Sequence, residues 1–166
     1  YAPVTVTTAA IDAYLDSERY LTPGMELVVV RGEGVSAEGR GLDMNGPQQT
    51  LILKGGGWAE LVTGDGRVVR IESASGPLLL EPRPNAGEGA LRLVAGGGAH
   101  LSASGIPELD LVATELEVHV LETASGVYRL ERAIARGQVV ATSGLDSFRG
   151  RDGEARFDTN GDLASL

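Results

Sequence analysis

Residues 114–122 read TELEVHVLE. Leu116, Val118 and Val120 alternate with Glu115, Glu117 and His119, so three aliphatic side chains share one face and three polar ones the other. That is the pattern of a strand with one buried and one wet face. Just upstream, Leu109, Leu111 and Ala113 follow the opposite parity. The hydrophobic set therefore changes face between Ala113 and Glu115, where a bulge or break is expected.

The same period recurs along the chain. MELVVV (25–30) puts Met25, Leu27 and Val29 on one face, TLILKG (50–55) sets Leu51 with Leu53, and RVVRIE (67–72) and LRLV (91–94) are similarly short. Turn signals separate them: TPG (22–24), MNGP (44–47), GDG (64–66), SGP (75–77), PRPN (82–85), GGG (96–98), RDG (151–153) and TNG (159–161). Gly, Asn and Asp supply the positive φ angles of tight hairpins. VYRLERAIAR (127–136) is the best helix candidate, with Val127, Leu130 and Ile134 near helical spacing, but Tyr128, Leu130, Arg132 and Ile134 also alternate. In this setting it is read as strand. Short strands joined by tight turns predict an all-β, antiparallel sandwich, roll or barrel.

Composition narrows the function classes. The chain has 166 residues, suited to one domain spanning 1–166. Its 24 glycines are about twice the usual share, which matches a chain full of turns. No apolar run approaches the ~18 residues of a membrane span, and YAPVTVTT has neither the basic start nor the apolar stretch of a signal peptide. The opening without Met and the ending LASL suggest part of a longer protein. With no cysteine, disulfides, thiolate metal sites and a cysteine nucleophile are excluded. The net charge is -9, and the arginines and single Lys54 are scattered among 23 acids. Nucleic-acid binding, which needs clustered cations and stacking platforms, is not expected.

Two segments repeat an order of residues. GLDMNG (41–46) and RFDTNG (156–161) both read hydrophobic, Asp, any residue, Asn, Gly, and each lies downstream of an Arg-Gly pair, Arg31–Gly32 or Arg136–Gly137. The Arg-to-Asp spacing differs, 12 residues against 22, so the second copy carries an insertion around LDSFRGRDG. The reading is two repeat-like halves, roughly 4–55 and 109–166, with a divergent middle, 56–108. DTNGD (158–162) lacks the spacing and distal Glu of a calcium loop. Type I′ turns, with Gly46 and Gly161 at positive φ, explain the same letters.

Catalytic constellations are absent. His100 and His119 have no triad or metal-ligand neighbourhood, KGGG (54–57) and AGGG (95–98) lack the ending of a phosphate loop, and the carboxylates alternate outward. The chain is read as non-enzymatic, with no catalytic residue, metal site or cofactor.

The stretch AIARGQVVATSG…FRGRDGEARFDTNGDLASL resembles the repeat of the OstA-like periplasmic proteins of lipopolysaccharide transport, the LptA and LptC group. Gly137 and Val139, then Gly153, Ala155, Phe157 and Asp158, fill that repeat's places. In the first copy Gly32, Gly34, Val35, Gly41, Leu42 and Asp43 do so, and YLDSERYLTPG is similar to the preceding segment of the LptC branch. The middle, with EPRPNAGEG, departs from the pattern.

The resemblance implies a β-roll or half-pipe, jelly-roll-like, whose facing sheets enclose an apolar groove for lipid acyl chains. It also implies a place in the periplasm and allows an inner-membrane anchor outside this chain. The implied partners are lipopolysaccharide or another acylated lipid, related β-rolls joined end to end, and an inner-membrane ABC transporter complex. Leu51, Leu53, Leu116, Val118, Val120 and Ile134 are the candidate groove-lining residues. Burial of acyl carbons contributes about 0.8 kcal/mol per CH₂, so such binding needs no catalytic group. The alternative is a structural or adhesive β-repeat domain with a closed core and no lipid ligand.

Overall fold

A computed structural model describes residues 4–83, 86–87, 89–104, 108–123 and 127–166. Its strands, in chain order, are β1 (Thr5–Thr8), β2 (Asp12–Tyr14), β3 (Arg19–Leu21), β4 (Leu27–Gly32), β5 (Val35–Arg40), β6 (Leu42–Asn45), β7 (Thr50–Leu53), β8 (Gly57–Val62), β9 (Val68–Ser73), β10 (Leu78–Pro82), β11 (Ala90–Ala95), β12 (Ala99–Ala103), β13 (Leu109–Ala113), β14 (Glu115–Glu122), β15 (Tyr128–Ser143), β16 (Asp146–Phe157) and β17 (Leu163–Ser165). A 3-10 turn, Leu15–Ser17, lies between β2 and β3. The protein is all-β, and VYRLERAIAR lies almost wholly within β15. Part of the PRPN turn, Pro84 and Asn85, lies outside the described residues.

The ladders are antiparallel and form two runs, β1-β4-β5-β8-β9-β12-β13 and β2-β3-β6-β7-β10-β11-β14. Both runs end on β15. Its Tyr128–Arg136 part pairs with β14 and its Val140–Ser143 part with β13. β16 follows β15 along both parts, and β17 pairs with the end of β16. The result is one antiparallel sheet folded on itself into two facing layers and not closed into a barrel. The recurring unit is a hairpin in one layer followed by a hairpin in the other.

This alternation gives the roll two unlike sides. The links between layers, at Gly41, 54–56, 74–77, 96–98 and Thr114, lie along one seam, joined by hydrogen bonds from Lys54 N to Gly41 O, Ala74 N to Gly98 O, Gly98 N to Thr114 O and Thr114 N to Gly137 O (2.7–3.2 Å). Fully described hairpin turns, such as 33–34 and 63–67 in the first layer and 46–49 in the second, lie along the opposite side, the mouth. Both Asn-Gly segments are mouth turns of the second layer, after β6 and after the far half of β16. The Arg-Gly pairs sit in different places: Arg31–Gly32 ends β4 at a mouth turn, whereas Gly137 (φ 71°) and Gln138 (φ 53°) bend β15 through the seam.

The change of face near residue 114 is this passage from one layer to the other. β13 pairs within the first layer, β14 within the second, and Thr114 makes the break. Inward rows then follow from register. In the first layer Val30, Ala37, Ala59, Ile71, Leu101, Leu111 and Ala141 stand in line, and in the second Leu80, Leu93, Val118, Ala133 and Ala155. All but the half-buried Leu80 are buried, and all belong to a single apolar core or pack against it. Met25, Leu27 and Val29 do share a face, but it is the outer one, with Val28 and Val30 inside.

The two Asn-Gly turns differ from each other and from type I′. Gly161 has φ 81°, while Asn160 and Gly46 have no positive φ and the left-handed residue of the first loop is Gln49. Gly161 N donates to Asp158 O and Asp158 N to Asp162 O, a type I turn completed by a left-handed glycine. At Gly46 the constraint is space: an added Cβ would lie 3.1–3.2 Å from Glu18.

Candidate functional site: the interior and its mouth

Leu53, Leu116, Val118 and Val120 point between the layers and are no more than 1% exposed. Leu51 is half-buried on the same face, packed against this core. Ile134 lies on the other face, in register with Glu117 and Glu154, while Ala133 and Ala135 fill the interior. Parity shifts because Leu130 pairs with Val120 and Arg132 with His119, leaving Glu131 as an extra residue. A bulge of this kind moves every following side chain to the opposite face. Alternation counted from Tyr128 thus places Ile134 with Leu130, and the bulge separates them.

The interior opens at the mouth. A cavity of about 470 Å³ lies between the β8–β9 turn and the start of β15. Val69, Ala103, Tyr128 and Leu130 form its apolar wall, with Asp65, Arg67 and Arg129 contributing charge. The two layers meet here. Gly64 N donates to Tyr128 O (3.2 Å), and Thr63 and Tyr128 form a parallel bridge. Arg67 reaches across to the β16–β17 turn, donating from Nη1 to Gly161 O (3.2 Å) and from Nη2 to Asp162 Oδ1 (2.5 Å), while its Nε faces Asp65 (2.7 Å). The hydrogen bond to Asp162, together with the charges of Asp65, Asp162 and Asp158, raises the Arg67 pKa despite desolvation. A smaller cavity, about 300 Å³, opens at the far end of the roll beside Leu111, Val139, Phe148 and Leu166.

Charged residues on the outer face form a second cluster. His119 is only 5% exposed, covered by Arg83 and Arg132, whose guanidinium nitrogens lie 2.8 and 3.2 Å from Nδ1. A guanidinium can only donate, so Nδ1 accepts and the ring proton sits on Nε2, which donates to Glu117 (2.6 Å). Burial pushes the Glu117 carboxyl up, but the His119 hydrogen bond and the charges of Arg92 and Arg136 outweigh it and hold the pKa below the ordinary value. Alternation correctly puts His119 on the outer face. Its burial depends on Arg83, 36 residues away, and no local signal predicts it. His100 lies on the outer face of the first layer, paired with Asp110 (2.5 Å).

Among the described residues no group of three or more His, Asp or Glu side chains is placed to hold a metal ion. Among the same residues no helix is long and apolar enough to cross a membrane. Comparison of this chain with protein-family models, with curated proteins and with solved structures finds no match.

Proposed function

We propose that this chain is a non-enzymatic lipid-handling module of the bacterial cell envelope, one that shelters acyl chains between its two layers. The observation that carries this reading is the asymmetry of the roll. Among the described residues the layers are hydrogen-bonded along the seam, and at the mouth they meet in contacts around Arg67 and Tyr128. Such a fold can part along one side without breaking its ladders. The wall is aliphatic and rich in alanine, so acyl carbons would meet apolar surface throughout. The sequence resemblance to the OstA-like group agrees with this reading. By the same resemblance, lipopolysaccharide or a similar acylated lipid is the cargo, the periplasm the location, and an inner-membrane ABC transporter complex the source.

End-to-end bridging belongs to the same proposal. Among the described residues β1 pairs only with β4, β2 only with β3, and β16 between Asp146 and Ala155 only with β15. Each offers a free edge to another sheet.

One observation favours the alternative, a structural module with a closed core. Leu53, Leu116, Val118 and Val120 are already covered by the chain's own side chains. Carriage therefore requires the layers to separate, which a closed module never does. Native mass spectrometry of the purified protein, with displacement of a fluorescent acyl probe, tests the proposal. Bound lipid or saturable displacement is the expected result. A protein that is lipid-free and does not bind the probe is the structural module.

A further inference from the structure

We propose that the β8–β9 corner of the mouth is the port for a single-chain amphiphile with an anionic head, and that Arg67 is its latch. The ligand's carboxylate or phosphate takes the place of Asp162 on the Arg67 guanidinium, and the acyl chain passes between Val69, Ala103, Tyr128 and Leu130. This inference rests on the lipid-handling reading above and adds to it a place, a ligand class and an order of events.

The geometry supports each part. The cavity behind Arg67, about 470 Å³, is of the size of small-ligand sites, about 300–1,000 Å³. Val69, Ala103, Tyr128 and Leu130 give it an apolar wall, and its charged groups are two guanidinium ions and one carboxylate, Asp65, which Arg67 Nε already engages, a combination that suits an acyl chain ending in an oxyanion. Arg129, the second cation, faces Glu131 at 3.7 Å, too long for a direct hydrogen bond.

Arg67 already presents two neighbouring nitrogens to two oxygens, Gly161 O and Asp162 Oδ1. Two oxygens of a carboxylate or phosphate match the same fork. Asp162 is 43% exposed, and an ion pair open to water is held weakly enough to exchange. Asp65 stays on Nε throughout, so the guanidinium remains oriented.

The turn that must move is suited to moving as a unit. Thr63 N donates to Arg67 O, and Thr63 Oγ1 to Asp65, so the turn is braced internally. Among the described residues its hold on the second layer includes the Arg67 contacts, the Gly64 hydrogen bond and the Thr63–Tyr128 bridge. Exchange at Arg67 removes the charged part of that hold. Binding of the head and opening of the mouth are thereby the same event.

The test uses palmitate, palmitoyl lysophosphatidate and the uncharged hexadecanol, each displacing a fluorescent acyl probe from the purified protein. The native chain is expected to prefer both anions over the alcohol by about tenfold, and Arg67→Gln is expected to bring that ratio close to one. A second variant, Thr63→Cys with Tyr128→Cys, locks the port. A bridged pair sits about 5 Å apart, within disulfide reach, and the chain has no other cysteine. Probe uptake in the oxidised form is expected to slow about tenfold and to recover on reduction.

An unchanged anion preference in Arg67→Gln, or equal uptake rates in the oxidised and reduced lock, overturns the port while leaving lipid handling intact. A native chain that takes up none of the three ligands overturns both.

Discussion

Two residues show how a single position governs this protein. Gly161, at φ 81°, occupies a backbone region that a β-branched side chain enters only with strain. Gly161→Val is expected to destabilise by about 1–3 kcal/mol in chemical denaturation. Gly161→Asn should cost less, because Asn tolerates that region. Glu117 is the second. Its pKa is lowered in the folded protein, so the unfolded state binds the proton more tightly. Its contribution is complete above the unfolded value and is lost as pH falls through the folded one. Denaturation followed from pH 7 down to pH 3 should therefore show a steeper loss of stability in the native chain than in Glu117→Gln. Equal slopes would mean that the His119–Glu117 contact carries no net stabilisation.

At the scale of elements, the seam is the demanding feature. β5 runs so close to the end of β7 and the link after it that a Cβ on Gly39 would lie 2.6 Å from Gly56 O and 2.8 Å from Leu53 Cδ1. Neither a backbone oxygen nor the buried Leu53 can move aside freely, so Gly39→Ala is expected to cost about 1–3 kcal/mol. A thermal melt should register this as a fall of about 2–4 °C per kcal/mol. Gly66 has nothing within 4 Å of its added Cβ but has φ 82°, so Gly66→Ala reports backbone strain alone. The bulge at Glu131 belongs to the same scale. One extra residue decides that Ala133 and Ala135, not Ile134, face the interior.

At the scale of the whole molecule, the free edges are the open question for assembly. β1 and β2 end the two layers at one end, and β16 with β17 ends them at the other. The exposed apolar residues Val4, Ile11, Tyr14 and Leu15 lie beside β1 and β2. Concentration-dependent sedimentation is expected to show self-association or binding to a related β-roll, and Thr5→Pro is expected to weaken it while the fold persists. Sedimentation as a monomer at every concentration, with no binding to such a partner, would remove the physical basis for a bridge.

The local pattern of the chain determined its class. Alternation in TELEVHVLE, Gly and Asn at the turns, and the parity change at Ala113–Glu115 are short-range features, each decided by neighbours within a few residues, and they specify strands, hairpins and the break at Thr114. The inward direction of Leu53, Leu116, Val118 and Val120 was legible for the same reason. Other features depend on residues far apart in the chain. The bulge that turns Ile134 outward arises from the pairing of β15 with β14, the cover over His119 comes from Arg83, and the mouth contact joins Arg67 to Asp162 across 95 residues. A period of two says which side chains share a face. Only the packing of one layer on the other decides which face is inside, how fully it is closed, and where it can open.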